Sequence, residues 1–68
     1  MAYWYVCYAI GTRKVMEPSA DERHAIDAAC RLLRRGRNVL EVGSMLDDAP
    51  TVGSAEIRRI WEDRSKRH

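Results

Sequence analysis

Four arginine side chains near the middle of the chain have the types and spacing that point most directly to binding chemistry. They lie within seven positions, at Arg31, Arg34, Arg35 and Arg37. A guanidinium group donates several hydrogen bonds in a planar fork, which suits phosphate and carboxylate groups. The cluster therefore predicts a partner-binding edge that contacts phosphates or an acidic protein surface.

The same arginines also have a purely structural interpretation. Cations in the last turn of a helix interact with its unpaired carbonyl groups, each contributing about 0.3–1 kcal/mol. Gly36 is a typical helix stop, and Asp27 is correctly spaced to pair with Arg31 one turn later. Only Arg37 lies beyond the predicted stop without a neighbouring acid. Both interpretations of the cluster therefore stay open.

A catalytic interpretation of this region is weaker. His24, Asp27 and Cys30 lie within seven residues and superficially suggest a nucleophile with its base and an orienting acid. On a helix, however, Cys30 points about 120° away from His24. The chain also contains no phosphate-binding loop, dinucleotide-binding or nucleophile-elbow motif. The sequence thus predicts a protein that is not an enzyme and binds no cofactor.

The cysteines and acidic pairs do not have metal-ligand spacing. Twenty-two residues separate Cys7 from Cys30, and the two do not form a CxxC motif. Free thiols are therefore expected. The adjacent acids Asp47–Asp48 and Glu62–Asp63 lack further oxygen ligands at the spacing of a calcium loop. We expect no metal site.

Tyrosines of the N-terminal segment form a second candidate binding surface. In a strand, Tyr3, Tyr5 and Cys7 share one side. The side expected to face the helices carries four residues: Trp4, Val6, Tyr8 and Ile10. Two short helices cover only one sheet face, so Tyr3 and Tyr5 are predicted to bind a partner, together with Val15 or Met16 and parts of strand 38–46. A competing interpretation is that these tyrosines rim the core and only contact solvent.

Length and composition indicate one soluble domain. The 68 residues are 32% charged with a net charge of +2, too small by itself to indicate nucleic-acid binding. We expect a single compact domain over residues 1–64 and a frayed basic tail over 65–68. The N-terminal apolar run has about nine residues and no basic n-region, which predicts neither a signal peptide nor a membrane span. A cytoplasmic protein is therefore expected.

The hydrophobic pattern predicts a small α+β fold of order β(β)αβα. A capping box formed by Ser19 and Glu22 should begin the first helix near Ala20. Gly43 should mark a bulge or a close approach. We expect a two-layer domain with a two- or three-stranded sheet, a parallel crossover and both helices on one face. The predicted elements are strands 2–10, 13–17 and 38–46 and helices 20–35 and 55–64.

Three functions remain in competition. The leading hypothesis is a non-enzymatic protein-binding module, such as an inhibitor or adaptor of a larger protein complex. Small domains without a catalytic set are common among accessory proteins of bacteria, phages and other mobile elements. The alternatives are a nucleic-acid-binding protein that combines an arginine patch with sheet tyrosines, and a structural homodimer.

Overall fold

The computed structural model describes residues 3–46 and 51–66 and confirms the α+β class. Both helices pack on the same side of a four-stranded sheet, whereas the sequence predicted two or three strands. The sheet order is β2-β1-β3-β4. The elements are β1 (Trp4–Ile10), β2 (Arg13–Ser19), α1 (Glu22–Arg34), β3 (Asn38–Ser44), β4 (Val52–Gly53) and α2 (Ser54–Ser65).

The predicted parallel crossover between β1 and β3 is wrong. β1 is antiparallel to β2 on one side and to β3 on the other. The reason is that β2 reverses the chain before α1 begins, so the helix connects β2 to β3. Those two strands run in the same direction, and β1 lies between them.

The fourth strand was not predicted because its segment reads as a polar loop. β4 contains only two residues, and Val52 pairs with Val42 while Gly53 pairs with Glu41. A single β-branched residue is too short a pattern to predict a strand. The preceding predicted loop residues 47–50 lie outside the described residues.

The core lies between the helices and one face of the sheet. Its cluster of buried residues comprises Val6, Tyr8, Ala25, Ala29, Leu33, Val39, Val42 and Ile57. Trp4 packs against this cluster, as the alternation of β1 predicts, whereas Ile10 at the end of the same strand is exposed. The small alanines of α1 allow the helix to approach the sheet closely.

Helix α1 begins two residues later than the predicted capping box. Asp21 is the N-cap, and its Oδ1 accepts a hydrogen bond of 2.8 Å from the backbone N–H of His24. Ser19 is not the N-cap because it is the last residue of β2 and pairs with Trp4. The backbone hydrogen bond from His24 lowers the pKa of Asp21 below its ordinary range.

Helix α1 ends at Arg34, one residue before its predicted end, and the predicted stop residue Gly36 follows the C-cap Arg35. Gly36 has φ of 79°, in the left-handed region. Its N–H donates to the carbonyl of Leu33, and the N–H of Arg37 donates to the carbonyl of Leu32. These two bonds form a Schellman motif, which fixes where the chain leaves the helix and where Arg37 lies.

Replacing Gly36 with alanine is expected to destabilise the fold by about 1–2 kcal/mol, because a Cβ atom disfavours the left-handed conformation. A Cβ at this position would meet no other atom within 4 Å, so the cost is conformational rather than steric. Urea denaturation followed by circular dichroism measures it. Gly36→Asn is the control and should cost less, since asparagine tolerates this region. Equal losses for both variants would contradict the explanation.

Helix α2 is one residue longer at each end than predicted. Gly53 is its N-cap and makes no side-chain capping bond, so Ser54 is the first helical residue rather than the cap. Ser65 belongs to the helix, and the rest of the predicted tail is described only at Lys66. Over the described part of the chain, neither helix has the length and apolar character needed to span a membrane.

Candidate binding surfaces

The side of the sheet opposite the helices carries the first candidate surface, which we call the open sheet face. Alternation along β1 places Tyr5, Cys7 and Ala9 there, because Trp4, Val6 and Tyr8 pack toward the helices. In register beside them lie three residues of β2 (Lys14, Met16 and Pro18) and two of β3 (Glu41 and Gly43). Tyr3 immediately precedes β1 and is two residues before Tyr5, so the same alternation assigns it to this face. Within the residues described, no helix packs on this face.

The open sheet face has exposed apolar side chains beside the exposed Lys14. Met16 is 57% exposed and Tyr3 is 44% exposed, whereas Cys7 is buried between its neighbours. Of the two positions predicted to accompany the tyrosines, Met16 lies on this face and Val15 packs against the core. Met45 and Leu46, just after β3, are also more than half exposed.

Tyr5 is held in place across β3. Its hydroxyl donates a 3.0 Å hydrogen bond to Oε2 of Glu41. A Cβ atom on Gly43 would lie only 2.5 Å from the Tyr5 hydroxyl oxygen. Gly43 therefore permits the close approach that the sequence predicted. The bulge lies elsewhere, since the shift in register between Cys7 and Tyr8 leaves Leu40 unpaired with β1.

The second candidate surface lies between α1 and the β1–β2 hairpin, and we call it the arginine groove. It is an open groove of about 380 Å³. Its lining residues are Tyr8, Ile10, Glu17, Ala28, Arg31, Leu32, Arg35 and Arg37. The helical repeat places Arg31 and Arg35 one turn apart on the same flank of α1, and the Schellman motif returns Arg37 to that flank.

The ion pair predicted for Arg31 is absent. The carboxylate of Asp27 instead accepts a hydrogen bond of 2.7 Å from Nη1 of Arg64 on α2. Among the described residues, none of the side chains of Arg31, Arg35 and Arg37 forms an ion pair. Pairing with Asp27 therefore does not explain Arg31, whereas the helix-end explanation still applies to Arg31 and Arg34, which lie in the last turn of α1.

Arg34 points away from the arginine groove. It lines a separate groove of about 400 Å³ between α1 and α2, which also contains Trp61 and the Asp27–Arg64 pair. The four clustered arginines therefore do not form one surface. Arg31 lines both grooves, whereas Arg35 and Arg37 line only the first.

Tyr8 and Glu17 are site residues that sequence reasoning missed. The Tyr8 hydroxyl donates a 2.8 Å hydrogen bond to Oε1 of Glu17 at the wall of the arginine groove. That bond, aided by burial, raises the pKa of Tyr8. Burial and the hydrogen bond to Glu41 likewise raise the pKa of Tyr5. The signal lay in the hairpin register, which places Glu17 diagonally beside Tyr8.

Stability is expected to fall as the pH rises through the range in which free tyrosine ionises, near about 10. The unfolded chain releases the tyrosine protons there, whereas the raised pKa values of Tyr5 and Tyr8 keep both groups protonated in the folded state. Urea denaturation at a series of alkaline pH values measures the slope. A Tyr5→Phe, Tyr8→Phe variant should have a shallower slope. Identical slopes for the two proteins would contradict the assignment.

The residues that suggested a catalytic set do not contact one another as a nucleophile and its base. His24 Nδ1 lies 2.8 Å from Asp21 Oδ1, and Asp27 is paired with Arg64. Burial raises the pKa of the Cys30 thiol, the opposite of what an activated nucleophile needs. Cys7 and Cys30 are both free and buried.

Metal-ligating side chains do not gather within the described ranges 3–46 and 51–66. No group of three or more histidine, cysteine or acidic residues there is placed to hold a metal ion. Asp47 and Asp48 lie outside those ranges.

The two predicted sets of site residues are on opposite sides of the sheet. Tyr5 lies on the open sheet face, whereas the arginine groove is on the helix side with Tyr8. A single ligand that stacks on Tyr3 and Tyr5 while pairing with the arginines does not fit this arrangement. Comparison with protein-family models, curated proteins and solved structures finds no match.

Proposed function

We propose that this chain is a non-enzymatic protein-binding module whose open sheet face docks onto an apolar surface of a partner protein. An inhibitor or adaptor of a larger complex would act in this way. The observation that carries the proposal is the placement of both helices on one side of the sheet, while Tyr3 and Met16 are exposed on the other among the residues described.

The chemistry of the open sheet face favours a protein over a nucleic acid. Methionine and tyrosine are enriched in protein interfaces because they supply large contact areas. The charged residues of β1–β3 in register on this face are Lys14 and Glu41, so their charges balance. A nucleic-acid surface needs an excess of positive charge to neutralise phosphates.

The test is a comparison of two apolar-to-lysine variants. Tyr3→Lys with Met16→Lys changes the open sheet face, and Ile10→Lys changes the exposed end of β1 on the helix side. A partner is first isolated with the tagged wild-type chain and purified, and its affinity for each variant is then measured by calorimetry. We expect the open-face variant to bind about tenfold more weakly or worse, a loss of about 1.4 kcal/mol, and Ile10→Lys to bind normally.

Two results would contradict the proposal. Unchanged affinity of the open-face variant would exclude this surface, and a loss only with Ile10→Lys would move the interface to the helix side.

Light scattering of the wild-type chain addresses the homodimer alternative. A dimer that Met16→Lys dissociates would assign the open sheet face to a second copy of the chain.

A further inference from the structure

We propose that the arginine groove binds the phosphate group of a small molecule. This inference does not depend on the proposed function, because the groove and the open sheet face lie on opposite sides of the sheet. Three guanidinium groups line the groove against one carboxylate, that of Glu17. Cations gathered in this way without ion-paired partners produce a local positive potential that attracts anions.

The number and type of donors favour a phosphate over a carboxylate. One guanidinium fork already satisfies both oxygens of a carboxylate. Arg31, Arg35 and Arg37 together offer three forks, which suit the several acceptor oxygens of a tetrahedral phosphate. Arg37 also follows Gly36 in the Schellman motif, so its backbone position is fixed before a ligand binds.

The remaining lining residues suit the rest of a small ligand. Ile10, Ala28 and Leu32 give the groove an apolar part, and the Tyr8–Glu17 hydrogen bond gives it a polar wall that can accept from ligand hydroxyl or amine groups. The volume of about 380 Å³ is within the range of small-molecule sites. Arg34 lines only the groove between α1 and α2, so three of the four clustered arginines are placed to contact one ligand in the arginine groove.

Nuclear magnetic resonance titration of the full chain tests the inference. The probes are inorganic phosphate and adenosine monophosphate, added at constant ionic strength so that general screening is unchanged. We expect saturable shifts at the amides of Gly36 and Arg37 and at the arginine Nε–H groups of the groove. Inorganic phosphate should bind with a Kd on the order of 1 mM, and the nucleotide should bind more tightly because it also contacts the apolar part.

Matched variants make the result decisive. Arg35→Gln with Arg37→Gln removes two groove charges and should weaken binding about tenfold or more. Arg58→Gln with Arg59→Gln removes two exposed charges from α2 and should leave binding unchanged. Glu17→Gln removes the one acid of the groove and should tighten phosphate binding severalfold. Circular dichroism checks that each variant is folded.

Three outcomes would overturn the inference. The first is the absence of saturable shifts in the wild-type chain. The second is equal weakening by the groove variant and the α2 variant, which would indicate nonspecific attraction. The third is a single-stranded oligonucleotide that binds far more tightly than the mononucleotide and shifts residues well outside the groove, which would assign the positive charge to a nucleic acid.

Discussion

Replacing Ile57 with alanine is expected to destabilise the protein by about 2–5 kcal/mol. Ile57 is fully buried and is the one side chain of α2 in the core cluster. Truncation removes its apolar contacts and leaves a cavity that the sheet and α1 can fill only in part. A domain of 68 residues has a net stability of roughly 3–10 kcal/mol, so this loss is a large fraction of it. The melting temperature should fall by roughly 10 °C or more.

Thermal and urea denaturation followed by circular dichroism measure the effect of Ile57→Ala. Ile57→Val is the first control, with an expected cost of about 0.5–1.5 kcal/mol. Ile60→Ala is the second, because Ile60 is only half-buried on the same helix and should cost less than Ile57→Ala. A larger cost at Ile60 than at Ile57 would mean that α2 presents a different face to the sheet.

The burial of the α2 side chains could be predicted from the sequence only in part. Ile57, Ile60 and Trp61 have the spacing of one apolar helix face, yet the structure buries Ile57 fully and the other two only in part. Periodicity identifies which side of a helix faces the core, but the depth of each residue depends on how the helix crosses the sheet. The types of the long elements were predicted correctly because their patterns are local.

The predictions of a parallel β3 and of an Asp27–Arg31 ion pair failed for a different reason. Both depend on which elements become neighbours in space. Asp27 had a suitable local partner in Arg31, but Arg64 reaches it from α2, 37 positions away in the chain. Likewise, β3 is antiparallel to β1 because β2 intervenes before α1. Sequence spacing alone contains no information on these long-range contacts.

The candidate sites were predicted in part. The two-residue period of β1 correctly separated Tyr5 from Tyr8, and the arginine cluster was evident from composition. The sequence could not predict that these arginines line two different grooves, because that depends on how α1 is rotated about its axis relative to the sheet. The contribution of Glu17 requires the hairpin register. The arginine cluster and the tyrosine strand are thus recognisable from local sequence, whereas the other residues of each surface are brought in by packing.

Replacing Gly43 with alanine is expected to cost about 1–3 kcal/mol, the usual range for forcing an extra group into a packed site. The new Cβ would lie 2.5–2.9 Å from the hydroxyl oxygen, Cζ and Cε2 of Tyr5, closer than van der Waals contact allows. The tyrosine ring must move, and its hydrogen bond to Glu41 must then break or bend. Urea denaturation measures the loss.

A double-mutant cycle separates this clash from any other effect of the substitution. In a Tyr5→Ala background, Gly43→Ala meets no ring and should be neutral or slightly stabilising, because glycine within a strand is unfavourable relative to alanine. The coupling energy should be about 0.5–3 kcal/mol, and strictly additive losses would contradict the contact. Since Gly43 is what lets the Tyr5 ring lie across β3, Gly43→Ala should also weaken the partner binding that we propose for the open sheet face. In the Tyr5→Ala background it should leave that binding unchanged, because no ring remains to be displaced.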